Sequence, residues 1–408
     1  MVDLSGGAEP GMTEDRPDAR FWRAMGLPIG APGDGMSLGE TVARIIGPFC
    51  RWLVGEVGGG AVAVMREGRL IADLTRLLGG PPMAETWLNR RLTMRAAIAD
   101  AGDSEALLNF LVRARRQPLD GAAAARELGL DHVPPPSWCA DVLDNATAQG
   151  RFLAWLGEGD AARQVITVGR DLRRRLLAHL AACGADVTRP MTLVDLGYAG
   201  NIQHALARIL AIEDGGPAPR GLYLLTTAGI RWARRAGCVA QGFVADGGDP
   251  APLVRLFARS PEPLELCCTT PGLGTVADYD KDGAPRLLAP PWGGDQAAAM
   301  ATLQAEVKSK VGDVAGDVAS ARLSLARLLA LPSRAEAAAV ASWVYDENMP
   351  EGLRRLCGGG DGSTDPWAAD RAQVPWPAAA ARLAGADDRA LVAGALRLVD
   401  GGSELLSN

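Results

Sequence analysis

The sequence predicts an α/β protein: a Rossmann-like, mainly parallel sheet with a helical insertion and a helical C-terminal region. Three observations carry that reading. The run Thr192-Leu193-Val194-Asp195-Leu196-Gly197-Tyr198-Ala199-Gly200-Asn201 opens directly into Ile202-Gln203-His204-Ala205-Leu206, with the pattern of a buried strand, a tight glycine turn and an amphipathic helix. Short continuous apolar runs recur at 61–65 and 221–225, as strands covered on both faces require. Helical patterns lie between these runs, so parallel strands joined by right-handed crossovers are expected.

Each element follows in order. Residues 1–36 are rich in Gly, Pro and Asp and show little periodicity, so a mobile arm is expected there. Ser37, with Glu40 three residues later, has capping-box spacing and starts a helix running toward Val54. The 61–65 strand leads through Arg66-Glu67-Gly68 into a helix with Leu70, Leu74, Leu77 and Leu78 on one face, stopped by Gly79-Gly80-Pro81-Pro82. Thr86-Trp87-Leu88 is the next strand candidate and ends in Asn89-Arg90-Arg91.

The core is expected over 37–290, with a helical insertion at 96–185. Ser104 and Asp120 are its cap candidates, Pro134-Pro135-Pro136 punctuates it, and Gly184 closes its last helix. Beyond the 221–225 strand, Asp280-Lys281-Asp282-Gly283 predicts a hairpin turn between 275–277 and 286–288. The same segment starts like a calcium loop, but its twelfth position is Ala289, where that loop needs a bidentate Glu. Residues 291–408 read as helical, with a glycine-rich linker from Cys357 to Pro366 and a last helix near 387–399.

Composition narrows the function classes. With 408 residues the chain can bury a large core, and its net charge of -6 argues against a nucleic-acid binder. Arg173-Arg174-Arg175 and Arg234-Arg235 are most simply solvated surface. The seven cysteines lack C-x-x-C spacing, and His132, His179 and His204 are far apart, so no zinc site is expected and a reducing cytoplasm fits better than a disulfide framework. Residues 1–20 lack an apolar signal segment, and no apolar run reaches membrane-spanning length.

The candidate site gathers at strand tips, where open α/β sheets collect ligands and helix starts favour anions. Asp195 suits three roles there: orienting a sugar hydroxyl, holding a cation such as Mg²⁺, or acting as a base. Its plainer role is to bond the turn's own N–H groups. Gly197 and Gly200 supply positive φ or close backbone approach, and Asn201 is the helix N-cap candidate. Gln203 and His204 lie in the first helical turn, within reach of a ligand, although His204 also reads as surface. Arg66 and Glu67 occupy a second strand-to-helix turn, and Asn89, Arg90 and Arg91 a third; arginine there suits phosphate or carboxylate by paired hydrogen bonds. Glu265 has apolar neighbours and is a candidate to face the cleft. No P-loop, nucleophile elbow or dinucleotide fingerprint is present.

The order of these segments is similar to a group of bacterial haloacid-dehalogenase-like proteins found with glycosyltransferases. The similarity rests on Val64-Met65-Arg66-Glu67-Gly68, on Leu88-Asn89-Arg90-Arg91 (with Asn89 where the family has serine), on Val194 through Gln203 with Tyr198 as the aromatic, on Leu264-Glu265, and on Gly274-Thr275-Val276-Ala277-Asp278-Tyr279. It covers roughly residues 38–290. The resemblance implies a part in surface-polysaccharide or other glycan biosynthesis and a ligand-facing sheet edge. The D-x-D-x-[TV] nucleophile motif of the family's phosphatase domain ends no early strand here, so phosphatase activity does not carry over. Phosphoribosyltransferases are a looser echo, but their loop follows two adjacent acidic residues, and here Leu196 follows Asp195.

The expected function is therefore binding of a phosphorylated sugar or nucleotide-sugar by an accessory or transferase-type protein. In the alternative, a non-catalytic module docks onto a glycosyltransferase through the Ala- and Leu-rich helices after Pro291.

Overall fold

The structure is a computed structural model that describes residues 17–28, 35–100, 103–108, 110–111, 118–130, 137–213, 215–314, 316–345, 353–358, 365–369, 371 and 373–400. Pro134-Pro135-Pro136, residues 1–16 and 29–34 of the expected arm, and 359–364 of the expected linker lie outside them. The expectation of an arm fails over Pro17–Ala24. α1 (Pro17–Ala24) is a helix whose Phe21 and Trp22 are buried, because two adjacent aromatic rings outweigh the turn-forming residues around them.

α2 (Leu38–Glu56) begins as expected at Ser37, whose hydroxyl accepts from the Glu40 N–H at 3.1 Å. Its buried stripe of Val42, Ile45, Ile46, Phe49 and Leu53 lies under the sheet. β1 (Ala61–Val64), α3 (Gly68–Leu77) and β2 (Ala84–Thr86) follow. β2 sits two residues earlier than the apolar run at 86–88 suggests. Trp87 and Leu88 are buried in the link after the strand, so their apolar character reports burial rather than strand.

The insertion is helical as expected. α4 (Arg90–Ala96), α5 (Ser104–Leu108), α6 (Gly121–Glu127), α7 (Ala146–Leu156) and α8 (Gly159–Ala182) lead to β3 (Thr192–Tyr198). Asp120 caps α6 by accepting from the Ala123 N–H at 2.6 Å, and Gly184 adopts φ +80° just past α8. Asp103 takes the role expected of Ser104, accepting from the Ala106 N–H at 3.0 Å.

α9 (Asn201–Ile212), β4 (Arg220–Thr226), α10 (Arg231–Arg235), β5 (Ala240–Ala245), α11 (Ala251–Arg259) and α12 (Glu262–Cys268) complete the central body. β6 (Val276–Tyr279) and β7 (Pro285–Leu287) form the expected antiparallel hairpin. The stretch from 295 to 331 divides into α13 (Gly294–Lys310) and α14 (Val318–Ala330). After α15 (Arg334–Val340), the short pair β8 (Val344–Tyr345) and β9 (Arg354–Arg355) precedes α16 (Pro377–Leu383) and α17 (Asp388–Asp400).

The central sheet is five-stranded and all parallel, in the order β2-β1-β3-β4-β5. α2, α3 and the helices from α11 onward build the core on one face. α4, α8, α9 and the insertion build it on the other. That double cover explains the uninterrupted apolar strands. The Leu-rich side of α14 (Leu325, Leu328, Leu329) is buried in this core, so the docking face expected on the C-terminal helices is largely occupied within the chain.

Among the described residues, the outer rim of β5 has no neighbouring strand. Arg234 Nη2 donates to the Ala240 carbonyl at 2.8 Å, the Gly242 N–H donates to Asp246 Oδ1 at 3.0 Å, and Arg322 Nε donates to the Val244 carbonyl at 2.6 Å. Arg234 and Asp246 also pair with each other at 2.8 Å.

Candidate functional site

Strand order places the site. β1 connects outward to β2 through α3 on one face, whereas β2 returns past β1 to β3 through α4–α8 on the other. The chain therefore parts at the carboxyl ends of β1 and β3, the position where open α/β sheets leave a crevice. Arg66 and Glu67 follow β1 at that point, and β3 ends there in Tyr198.

Four segments bring side chains together. From β1 come Arg66 and Glu67, which pair at 3.8 Å and are only 14% and 17% exposed in their side chains. β3 contributes Asp195 and Tyr198, and α12 contributes Glu265. The Tyr198 hydroxyl donates to Glu265 Oε1 at 2.6 Å, while its ring packs on Phe257 of α11. Arg90, at the start of α4, is close enough for its charge to act on Asp195.

The segment leaving α12 fastens this cluster to β1. Thr270 donates through both Oγ1 (2.8 Å) and its N–H (3.3 Å) to the Arg66 carbonyl. Thr269 Oγ1 lies 3.2 Å from Glu67 Oε1 and 2.8 Å from the Glu265 carbonyl. Sequence reasoning passed over both threonines. The available signal was a hydroxyl pair directly after a carboxylate-bearing helix and before Pro271-Gly272.

Charge crowding has a definite direction. Burial raises the Asp195 carboxyl well above the usual carboxylate range, and the charges of Glu67 and Glu265 push the same way; the Leu196 N–H, donating to Oδ1 at 2.8 Å, and Arg90 oppose them. Burial also raises Glu67; Arg66 pulls it down and Glu265 pushes it up. The Tyr198 phenol is raised by burial and then by Glu265, so it remains a donor. The raised pKa values of Asp195 and Glu67 record the cost of placing three acids in one site, which two arginines partly offset.

Several expected site residues do other work. Gly197 lies within β3, paired with Leu225, and not on the turn; a Cβ there would collide with the Leu225 carbonyl, so its φ of +131° serves sheet packing. The strand simply runs further than the glycines suggest. Gly200, at φ +68°, is itself the N-cap of α9, and Asn201 is the first helical residue instead of the cap. A side chain at Gly200 would meet Ile230 and Ala233, so its smallness too is required by packing.

Gln203 faces away from the crevice. Its amide donates to the Pro219 and Val239 carbonyls at 2.7 and 2.8 Å and accepts from the Tyr223 hydroxyl at 3.0 Å. His204 is buried, not on the surface. Asn89 caps α4 by accepting from the Leu92 N–H at 2.8 Å and donates to the Val276 carbonyl at 2.7 Å. Arg91 turns to Glu127 of α6 at 3.4 Å, because adjacent residues at a helix start diverge by about 100°. Asn89, Arg91 and Gln203 therefore belong to the scaffold.

Among the described residues, no group of three or more His, Cys, Asp or Glu is arranged to hold a metal ion. No described helix is long and apolar enough to cross a membrane. The fold and cluster together define a doubly wound α/β protein with a mixed carboxyl–guanidinium group at the reversal of strand order. No protein-family model matches the chain, and no curated protein matches it.

Proposed function

We propose that the crevice between β1 and β3 binds a phosphorylated sugar or nucleotide-sugar, and that the protein serves glycan biosynthesis as an accessory or transferase-type component. The observation that carries this reading is the meeting of Arg66 and Arg90 with Glu67, Asp195 and Glu265 at the strand-order reversal. Guanidinium groups suit phosphate oxygens. Carboxyls and the Tyr198 hydroxyl suit the alternating donors and acceptors of a sugar. Raised carboxyl pKa values reduce the repulsion a phosphate would otherwise meet. The resemblance of 38–290 to glycosyltransferase-associated proteins supports the choice of a sugar as the phosphate carrier.

A thermal-shift panel of sugar phosphates and nucleotide-sugars tests it. A ligand that raises the melting temperature of the native chain and fails to raise that of Arg90→Ala or Arg66→Ala supports the proposal. No shift with any member at millimolar concentration overturns it. Isolation of a stoichiometric glycosyltransferase complex without any such shift would favour the docking alternative.

A further inference from the structure

His179 stands outside the crevice, buried to 2% exposure near the end of α8, and both of its ring nitrogens are engaged by backbone. The Trp87 N–H donates to Nε2 at 2.9 Å, and Nδ1 lies 2.9 Å from the Gly283 carbonyl. An N–H must meet a lone pair and a carbonyl must meet a hydrogen. The contacts therefore require the neutral ring with its proton on Nδ1. The ring also stacks on Tyr279 at 4.9 Å, and the Tyr279 hydroxyl donates to the Trp87 carbonyl at 2.5 Å.

Three segments thus meet on one imidazole: α8, the link from β2 to α4, and the β6–β7 hairpin. Gly283, at φ +86°, presses so closely on the backbone of Ala178 and His179 that no side chain fits between them. The link that His179 holds through Trp87 continues into Asn89 and Arg90. Asn89 in turn donates to Val276 in the hairpin. We propose that His179 is an acid-operated latch, whose protonation frees the β6–β7 hairpin and the Trp87–Arg90 link from α8.

A second proton on the ring occupies Nε2, leaving the Trp87 N–H facing another N–H in a buried contact. Burial lowers the His179 pKa, opposed by its bond to Gly283. Other titratable groups flank the ring. The Cys183 thiol, with Sγ 3.6 and 3.8 Å from the ring nitrogens, is raised by burial and by the Glu85 charge on β2. The Tyr279 phenol is raised by burial. Asp278 pairs with Arg175 of α8 at 2.9 Å. In the hairpin turn, Asp280 is lowered by the N–H groups of Ala284 and Asp282, and Lys281 and Asp282 share that turn.

Hydrogen exchange of the full chain between about pH 8 and about pH 5, corrected for the intrinsic rate, tests the latch. Protection of 276–287 is expected to fall about tenfold or more across this range while β3 and β4 stay protected. In His179→Gln, which carries no titrating ring, the acid-dependent part of the fall should vanish. If that variant does not fold, ¹⁵N titration of the native imidazole still decides. The expected result is a ring protonated on Nδ1 that titrates below about 6.5, in step with hairpin exposure. An ordinary titration, or hairpin protection indifferent to it, overturns the proposal.

Discussion

The Tyr198 hydroxyl donates to Glu265 Oε1 at 2.6 Å, joining the last residue of β3 to a helix 67 positions further along the chain. This bond fixes the distance between strand tip and α12, and so fixes where the carboxyls of the crevice stand. Tyr198→Phe keeps the ring on Phe257 and removes only the donor. Loss of roughly 1–2 kcal/mol is expected in denaturant unfolding, the usual cost of an unmet hydrogen bond to a partly buried carboxylate. An unchanged midpoint would mean that water replaces the phenol without cost.

Asp195 and Glu67 act against stability at neutral pH. Their pKa values are raised in the folded state, so they stabilise the fold below the ordinary carboxylate range, and that stabilisation is lost as pH rises through the folded values. Asp195→Asn retains an oxygen for the Leu196 N–H and removes the charge. Its melting temperature should exceed that of the native chain near about pH 8, with the difference shrinking toward about pH 4. A variant less stable at both ends would contradict the raised pKa.

Ligand binding should carry the same proton signature. A phosphate beside Asp195 and Glu67 raises both further, so binding takes up protons and weakens as pH rises. Calorimetry in two buffers of different ionisation enthalpy would measure this uptake. Proton release on binding would contradict the arrangement proposed.

Gly197 and Gly200 differ in how rigid their neighbours are. Gly197→Ala drives a Cβ into the Leu225 carbonyl, which is fixed in the sheet, and should cost at least about 2 kcal/mol. Gly200→Ala meets the movable end of Ile230 and a left-handed backbone, a smaller penalty of about 1 kcal/mol. Equal losses would show that Ile230 is as immovable as the strand.

Outside the crevice, Arg327 and Glu336 form a buried ion pair completed by the Thr41 hydroxyl, which donates to Glu336 Oε1 at 2.6 Å. Burial raises the Glu336 pKa, but Arg327 and Thr41 overcome it and hold it low. Its stabilisation is therefore present above the ordinary glutamate pKa and lost as pH falls through the depressed value. Glu336→Leu alone should cost about 3–5 kcal/mol, and adding Arg327→Met should recover much of that. Additive losses in a double-mutant cycle would refute the pairing.

The sequence was legible where one force dominated. Apolar runs covered on both faces revealed β1, β3 and β4, and side-chain caps revealed the starts of α2 and α6. Trp87 misled because burial in a link and burial in a strand look alike along the chain. Phe21 and Trp22 were hidden by the glycine and proline around them, since their partners in the core lie far away in sequence. Arg66, Glu67, Asp195, Tyr198 and Glu265, read from their places at or near strand ends and beside apolar residues, come together in the structure. Asn89, Arg91 and Gln203 take partners outside the crevice, because a side chain's direction depends on helix phase and on neighbours that local reading does not supply. Thr269 and Thr270 went unnoticed because their partners lie about 200 residues away.

The guarded rim of β5 determines how copies of this molecule can meet. The Ala240 and Val244 carbonyls and the Gly242 amide are engaged by Arg234, Arg322 and Asp246, so a foreign strand must break these bonds before it can pair there. Crowded chains are thus denied this route to fibrous stacking. Removing that guard, as in Arg234→Ala with Arg322→Ala, would expose the Ala240 and Val244 carbonyls as a template for self-association.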